Sequence, residues 1–363
     1  MADWVAAQNL VTEDYLATLP GRDVFRERLA VLFVYDRISS PYKRRDLYFY
    51  TRNSGVENQG SLYVRQGTGG EDRVLIDPNT WSEDGATALG EWEPPEDGAY
   101  LAYGVHEGGS DLLTINVLDV ASGEVLEDAV ERVRFTSIEW AKDGSGFFYA
   151  RFADPAEGAS AQAAIAGHSI YFHALGTAQS ADRLLYATPD QPNLLHIFSI
   201  TEDGQYIAIA STPDTKTNSL TLVDLTQGDW PTIPTIPIIT DFTGQWGAIG
   251  NVGTTFYIMT DKDADHRKIV TLDIADPDAD FVDLIPEQKD IINDAWIVGG
   301  MLITSSLDNA TALIQRYQLD GTPDGEVSLP GIGSAGGFRG DPDDNEAFFI
   351  FTQLQHAHHG LPL

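Results

Sequence analysis

The chain has 363 residues, 55 acidic against 22 basic side chains, a formal net charge of −33, and no cysteine. Without cysteine there is no disulfide framework, no thiolate nucleophile and no cysteine-ligated zinc or iron–sulfur site. The acidic balance argues against nucleic acid or an anionic membrane as a partner, because both require clustered Lys and Arg. An apolar content of 42%, with 34 Gly and 18 Pro, is typical of a globular protein rich in turns.

The first nine residues have neither a basic stretch nor an apolar core, so they do not form a signal peptide. No segment approaches the roughly 18 consecutive apolar residues that a membrane helix needs. We therefore expect a cytoplasmic protein. A periplasmic location is the alternative, if an export signal has been lost.

Residues 3–32 are predicted to be helical, because apolar side chains recur at spacings of three and four and Pro20-Gly21 separates two segments. We assign residues 1–40 to this helical N-terminal segment. After Pro41, short runs rich in Tyr, Phe, Ile, Val and Thr alternate with turns, as β-strands do. Many strands without intervening helices are typical of a sandwich, a barrel or a propeller.

A repeated unit distinguishes among these folds: a strand, a tight turn often made of Asp-Gly, and an aromatic-rich strand. The turns recur near residues 45, 98, 144, 204, 253, 300 and 344. Such spacing, close to the roughly 40–50 residues of a propeller repeat, predicts an all-β, seven-bladed β-propeller over residues 41–352. The alternative is that these turns do not mark a repeat, because Asp-Gly turns are common in all kinds of β protein.

Two segments interrupt this pattern. Residues 154–168 are rich in small side chains and are predicted to form a surface loop. Residues 353–363 are not strand-like, so we expect a disordered tail and an incomplete seventh blade.

A search for catalytic residues finds none. No serine has the Gly-x-Ser-x-Gly context of a hydrolase nucleophile: Ser334 comes nearest, but Ile332 stands where the first glycine is required. The candidate bases His106 and His173 therefore have no nucleophile to activate.

Cofactor and metal motifs are equally weak. Residues 331–336 match G-x-G-x-x-G, but residues 337–344 cannot begin the helix that holds a pyrophosphate. The Asp-rich loops at 261–265 and 276–280 lack the glycine that a calcium-binding loop has at its sixth position. The histidines of residues 356–359 are better explained by a disordered tail than by a metal site. We predict no cofactor and no metal.

Six stretches are distinctive in combination: WVAAQN at 4–9, YFYTRNSGVENQ at 48–59, AYGVHEGGSD at 102–111, DGSGFFY at 143–149, YFHALGTAQSAD at 171–182 and LPGIG at 329–333. Together they resemble the N-terminal part of the prolyl oligopeptidase family, serine peptidases that cut short peptides after proline. The resemblance extends from Met1 to about Thr352.

The resemblance implies a seven-bladed propeller that covers an α/β-hydrolase domain, whose catalytic serine, aspartate and histidine follow the propeller. It also implies that the helical segment packs on that hydrolase domain. The chain is then expected to be the substrate-gating part of such a peptidase, to admit short proline-containing peptides in the full enzyme, and to be inactive alone. The alternative is a stand-alone propeller that acts as a protein- or peptide-binding scaffold.

One aromatic group surrounds the turn at residues 143–144 and is predicted to belong mostly to the core: Trp140, Phe147, Phe148 and Tyr149. The resemblance implies that one aromatic side chain of this strand reaches the peptide-binding side, and Phe148 is the best match. The loop at 211–217 corresponds to a second family contact. It carries neither arginine nor cysteine, so no residue is assigned there.

Overall fold

The computed structural model of the chain describes residues 2–153, 166–228, 230, 232–342, 344, 346–353 and 356–362. Two helices come first, α1 (Ala2–Ala17) and α2 (Arg22–Phe33). Gly21 lies between them at a φ of +84°, a conformation that glycine adopts without a steric penalty. The predicted helices are therefore confirmed. Most of the loop predicted at 154–168 lies outside the described residues.

The strands form antiparallel sheets, named A to G, that follow one another along the chain. Sheet A contains β1 (Arg37–Ile38), β2 (Tyr42–Arg44), β3 (Leu47–Asn53), β4 (Ser61–Gln66) and β5 (Arg73–Ile76). Sheet B contains β6 (Ala88–Glu93), β7 (Tyr100–His106), β8 (Leu113–Asp119) and β9 (Val125–Val133). Sheet C contains β10 (Glu139–Trp140), β11 (Gly146–Arg151), β12 (Ser169–Ala174) and β13 (Arg183–Ala187).

The second half of the chain repeats this arrangement. Sheet D contains β14 (Leu195–Ile200), β15 (Tyr206–Thr212), β16 (Ser219–Asp224) and β17 (Thr235–Ile239). Sheet E contains β18 (Trp246–Val252), β19 (Thr255–Thr260), β20 (Lys268–Asp273) and β21 (Val282–Ile285). Sheet F contains β22 (Ile292–Val298), β23 (Met301–Asp308), β24 (Thr311–Tyr317) and β25 (Pro323–Glu326). Sheet G contains β26 (Ser334–Arg339), β27 (Phe348–Gln353) and β28 (His356–Pro362). Single-turn helices span Pro78–Thr80 and Gln179–Ala181.

Within each sheet the strands pair in chain order, so the first strand lies innermost and the last lies outermost. In sheet A the innermost position is shared by β1 and β2, which both pair with β3. Each predicted turn marker falls between the innermost strand of one sheet and its neighbour. The structure is thus an all-β propeller with a short helical N-terminal segment, and the repeat read from the sequence corresponds to one sheet.

The ring of sheets has two distinct ends. The turn end carries the hairpins between the first and second strands, such as residues 94–99 and 201–205. The crossover end carries the connections from one sheet to the next, such as residues 134–138. The chain enters from the helices at the crossover end, because β1 pairs with Arg52 and Asn53 at the far end of β3.

Six apolar clusters fill the spaces between consecutive sheets, joining A to B, B to C, C to D, D to E, E to F, and F to G. The predicted aromatic group is divided between two of them. Trp140, Phe147 and Tyr149 lie between sheets B and C, whereas Phe148 lies between sheets C and D. Both faces of these strands are buried, as expected for sheets stacked on both sides.

The tail differs from its prediction. Instead of disorder after residue 353, β28 pairs antiparallel with β27. This pairing supplies partners for backbone groups that β27 would otherwise leave at an open edge. Sheet G therefore has three strands rather than two, one fewer than sheets B to F.

Among the described residues, no helix combines the length and the apolar character needed to cross a membrane.

Candidate functional site

Phe148, the side chain predicted to contact peptide, is only 3% exposed. Its ring packs against Phe172 with centroids 4.9 Å apart, inside the cluster between sheets C and D. A side chain with so little free surface offers almost no area to a ligand. Its position is that of a core residue, and the prediction for Phe148 gains no support from it.

An exposed aromatic side chain does lie nearby, at the crossover end. Phe135 belongs to the connection between β9 and β10 and is 53% exposed. Its φ of +53° is rare for a residue other than glycine, and strained backbone of this kind often accompanies a binding site. The Arg134 guanidinium lies 4.8 Å from its ring centroid, and the Phe152 ring meets it edge-on at 6.2 Å. These contacts hold the ring in place on the surface.

The same connection is tied to the wall of the central channel. Ser137 donates its hydroxyl to the carbonyl of Phe198 on β14, at 2.8 Å. Along this innermost strand His196 and Phe198 are buried, whereas Ile197 between them is 67% exposed. Phe135 and Ile197 are thus two exposed apolar side chains, one on a crossover connection and one on the innermost strand that this connection contacts. The sequence alone could not identify Phe135 as a site residue, because nothing in the residues Arg-Phe-Thr predicts a positive φ.

Two buried histidines lie next to these residues. The His196 backbone N–H donates to His168 Nδ1 at 3.0 Å, and His196 Nδ1 lies 2.8 Å from Ser211 Oγ. Both imidazoles are almost completely enclosed. Burial, and then the proximity of His168, lower the pKa of His196 to about 4, and burial lowers that of His168 as well. The pair is therefore held in its neutral form.

We expect these histidines to make the protein acid-sensitive. The unfolded chain binds a proton at His196 near pH 6.5 whereas the folded chain does so only near pH 4, so stability falls as the pH drops through this window. The loss attributable to His196 is on the order of 3 kcal/mol. Urea unfolding at several pH values should show His196→Gln less stable than wild type at pH 7 and closer to it near pH 4.5. A stability difference that does not change with pH would contradict this.

A third buried histidine lies between two carboxylates. His173 Nδ1 is 2.7 Å from Asp182 Oδ1, and its Nε2 is 3.3 Å from Asp128 Oδ1. Tyr149 donates its hydroxyl to the other oxygen of Asp182 at 2.7 Å. Burial lowers the pKa of His173, but the bonds and charges of Asp182 and Asp128 outweigh it and raise the pKa overall. This network joins sheets B and C.

The turn end has a different chemistry, because charged side chains from five sheets meet at the mouth of the channel. Arg44 of sheet A lies closest to Glu93 of sheet B, at 3.2 Å. Burial raises the pKa of Glu93 to about 7, an effect that Arg44 partly offsets. Burial and the neighbouring Glu93 raise the pKa of Glu139 to about 8. Cavities of about 180 and 260 Å³ flank Arg44.

The other sequence candidates are not brought together. His106 lies on sheet B, His173 on sheet C and Ser334 on sheet G. Residues 334–339 form β26, so no helix follows the glycine-rich stretch. Over the part of the chain that the structure describes, no group of three or more His, Asp or Glu side chains is arranged to hold a metal ion.

Comparisons with known proteins agree with this architecture. Residues 1–356 match the family model described as "Prolyl oligopeptidase, N-terminal beta-propeller domain". The chain is 32% identical over 351 residues to a prolyl endopeptidase of Elizabethkingia meningoseptica, covering 96% of this chain and 49% of that protein. It is 31% identical over 318 residues to prolyl oligopeptidase A of Amanita bisporigera, covering 78% of this chain and 41% of that protein.

Solved structures show the same fold. A prolyl endopeptidase structure described in a study of inter-domain dynamics in catalysis and specificity superposes with a TM-score of 0.84 at 36% identity, covering all of this chain and 52% of that one. Prolyl oligopeptidase B from Galerina marginata, bound to a 25mer macrocyclization substrate, superposes with a TM-score of 0.90 at 22% identity, covering 99% and 53%. The chain spans about half the length of these relatives. It belongs to the prolyl oligopeptidase family, of which it represents the N-terminal β-propeller domain.

Proposed function

We propose that this chain is the substrate-gating propeller of a serine peptidase that hydrolyses short peptides after proline. The family match over residues 1–356 carries the proposal. A propeller contributes exclusion and orientation rather than bond chemistry, and the reaction requires the serine, histidine and aspartate of a hydrolase domain. We further propose that sheet G, with three strands, is the seventh blade beside six sheets of four or five. The proposed location is the cytoplasm, in keeping with a cysteine-free sequence.

The exposed surface of the two helices favours the presence of a partner domain. Many of their large apolar side chains are exposed, and Trp4, Leu10, Tyr15, Val24 and Phe25 are each more than 60% exposed. An apolar surface of this extent is typical of an interface. We propose that the hydrolase domain covers it, which would place that domain at the crossover end, where the helices join the ring.

We propose that Phe135, on the crossover connection, and Ile197, on the innermost strand that this connection contacts, face the hydrolase domain. We propose that Phe135 replaces Phe148 as the aromatic side chain of the propeller that contacts peptide. Its exposed ring suits an apolar or proline side chain of the substrate.

A chimera tests this proposal. The chain is joined to the C-terminal half of the Elizabethkingia meningoseptica prolyl endopeptidase, and hydrolysis of a short proline-containing reporter peptide is measured. We expect the chimera to cleave the peptide and to leave a folded protein intact, whereas the chain alone cleaves neither. Phe135→Ala should raise KM by about 3- to 10-fold with kcat unchanged, because only binding area is lost.

Two variants serve as controls. Val252→Ala removes an exposed apolar side chain at the turn end and should leave KM unchanged. Phe148→Leu should lower the melting temperature without changing KM. A folded chimera without activity would overturn the peptidase proposal and favour a binding scaffold, whereas an active chimera with an unchanged KM in Phe135→Ala would overturn only the role of Phe135.

A further inference from the structure

The boundary between sheet G and sheet A, here called the seam, differs from the other boundaries in the ring. The six apolar clusters fill the six other boundaries, and within the described ranges none spans the seam. No strand of sheet A pairs with a strand of sheet G in that same part of the chain. A cavity of about 350 Å³ lies there, with Tyr48, Tyr50 and Phe348 in its wall. Burial of apolar surface therefore contributes less to closing the seam than to closing the other boundaries.

Ionic contacts cross the seam instead. Lys43 Nζ lies 2.5 Å from Asp344 Oδ2 and 3.2 Å from Glu346 Oε2. Tyr48 donates its hydroxyl to the same Glu346 oxygen at 2.5 Å, and its ring meets Phe348 edge-on at 5.9 Å. One lysine and one tyrosine of sheet A thus bind two carboxylates of sheet G.

The next residue of β2 extends these contacts across the channel. Arg44 Nη1 lies 3.5 Å from Asp341 of sheet G and 3.9 Å from Glu202 of sheet D, while Nη2 lies 3.2 Å from Glu93 of sheet B. The Arg44 side chain is only 13% exposed. Because sheet D is on the other side of the ring from sheet A, this guanidinium occupies the mouth of the channel at the turn end.

We infer that Lys43 and Arg44 form an ionic clasp that closes the ring at the seam, and that Arg44 couples this closure to closure of the channel mouth. Ion pairs held in partly buried networks contribute more than exposed pairs, and losing one partner leaves the remaining charges uncompensated. Without the two cations, Asp344 and Glu346 would lose the ion pairs with Lys43, and Glu93, Glu202 and Asp341 would lose the guanidinium that they share. The inference does not depend on the proposed peptidase function.

Hydrogen exchange of the full chain, followed by mass spectrometry, tests the clasp. In Lys43→Gln we expect at least tenfold faster exchange in β2, β3, β26 and β27, with sheets D and E unchanged. In Arg44→Gln the same strands should exchange faster, and so should the turns at residues 94–98 and 201–205, which border the mouth. Confinement of both effects to sheet A, or an equal increase in every sheet, would overturn the inference.

Two further variants complete the test. Lys262→Gln removes a lysine from an exposed ion pair with Asp263 and should leave exchange at the seam unchanged. Lys43→Glu should open the seam by repulsion, and the double variant Lys43→Glu with Glu346→Lys should restore at least half of the lost protection. If the double variant is no better protected than Lys43→Glu alone, or if Lys262→Gln opens the seam equally, the clasp is refuted.

Discussion

Gly146→Ala is expected to destabilise the protein by about 3 kcal/mol or more, because the new methyl group has no space. Gly146 begins β11 and pairs with Ala174. A Cβ built on it would lie 2.8 Å from Cζ of Phe172 and 3.0 Å from the Ala174 Cα, and would collide with the His173 carbonyl oxygen. The strand cannot move away, since sheets B and D pack on its two faces. The measurement is the free energy of unfolding in urea.

A second glycine provides a matched control for this substitution. Gly247 also lies in a strand, β18, and a Cβ built there meets no heavy atom within 4 Å. Gly247→Ala should therefore change the free energy of unfolding by less than about 0.5 kcal/mol, or raise it slightly through the unfolded state. Equal effects of the two substitutions on the free energy of unfolding would show that the residues around Gly146 leave space for a methyl group.

Asp182→Ala should cost about 3–5 kcal/mol, because it removes one partner from a buried charged network. The Asp182 side chain is 4% exposed and accepts bonds from both His173 and Tyr149. Without it, the Tyr149 hydroxyl and His173 Nδ1 remain buried without that acceptor, and each unsatisfied group adds a cost.

The pH dependence gives a second measurement of this network. Because Asp182 helps to raise the pKa of His173, its contribution is fully present below about pH 6.5 and is lost as the pH rises through the raised pKa. The destabilisation by Asp182→Ala should therefore be larger at pH 6 than at pH 9. As a control, Asp23→Ala removes an ion pair with Arg26 that is exposed on both sides, and it should cost less than about 0.5 kcal/mol. A cost for Asp182→Ala as small as that of the control would contradict the network.

The repeat was readable from the sequence because it depends on local chemistry. A tight turn needs residues such as Asp and Gly, and a buried strand needs β-branched and aromatic side chains, so each sheet has its own turn marker. The N-terminal helices were predictable for the same reason, from apolar spacing and a Pro-Gly break. The core positions of Phe147 and Tyr149 followed from a strand that is apolar on both faces, and Trp140 on the preceding strand packs in the same cluster.

Other features arise only when distant segments meet. The side of β11 on which Phe148 lies depends on the pairing of this strand with β10 and β12, and its burial depends on sheet D. The sequence of the tail did not indicate a strand, because β28 owes its conformation to the open edge of β27. The exposed ring of Phe135 lies on a residue with a positive φ, and no local sequence motif predicts this conformation.

The kind of fold, the repeat and the family could be predicted from the residues, since these depend on short-range patterns that are present in a single chain. Which side chains face the channel, and how the ring closes, depend on the packing of distant segments against one another. Lys43 and Arg44 lie about 300 residues from Asp341, Asp344 and Glu346, and no local pattern links them. Their contacts exist because the ring brings its first and last sheets together, and electrostatic interactions depend on that distance rather than on separation along the chain.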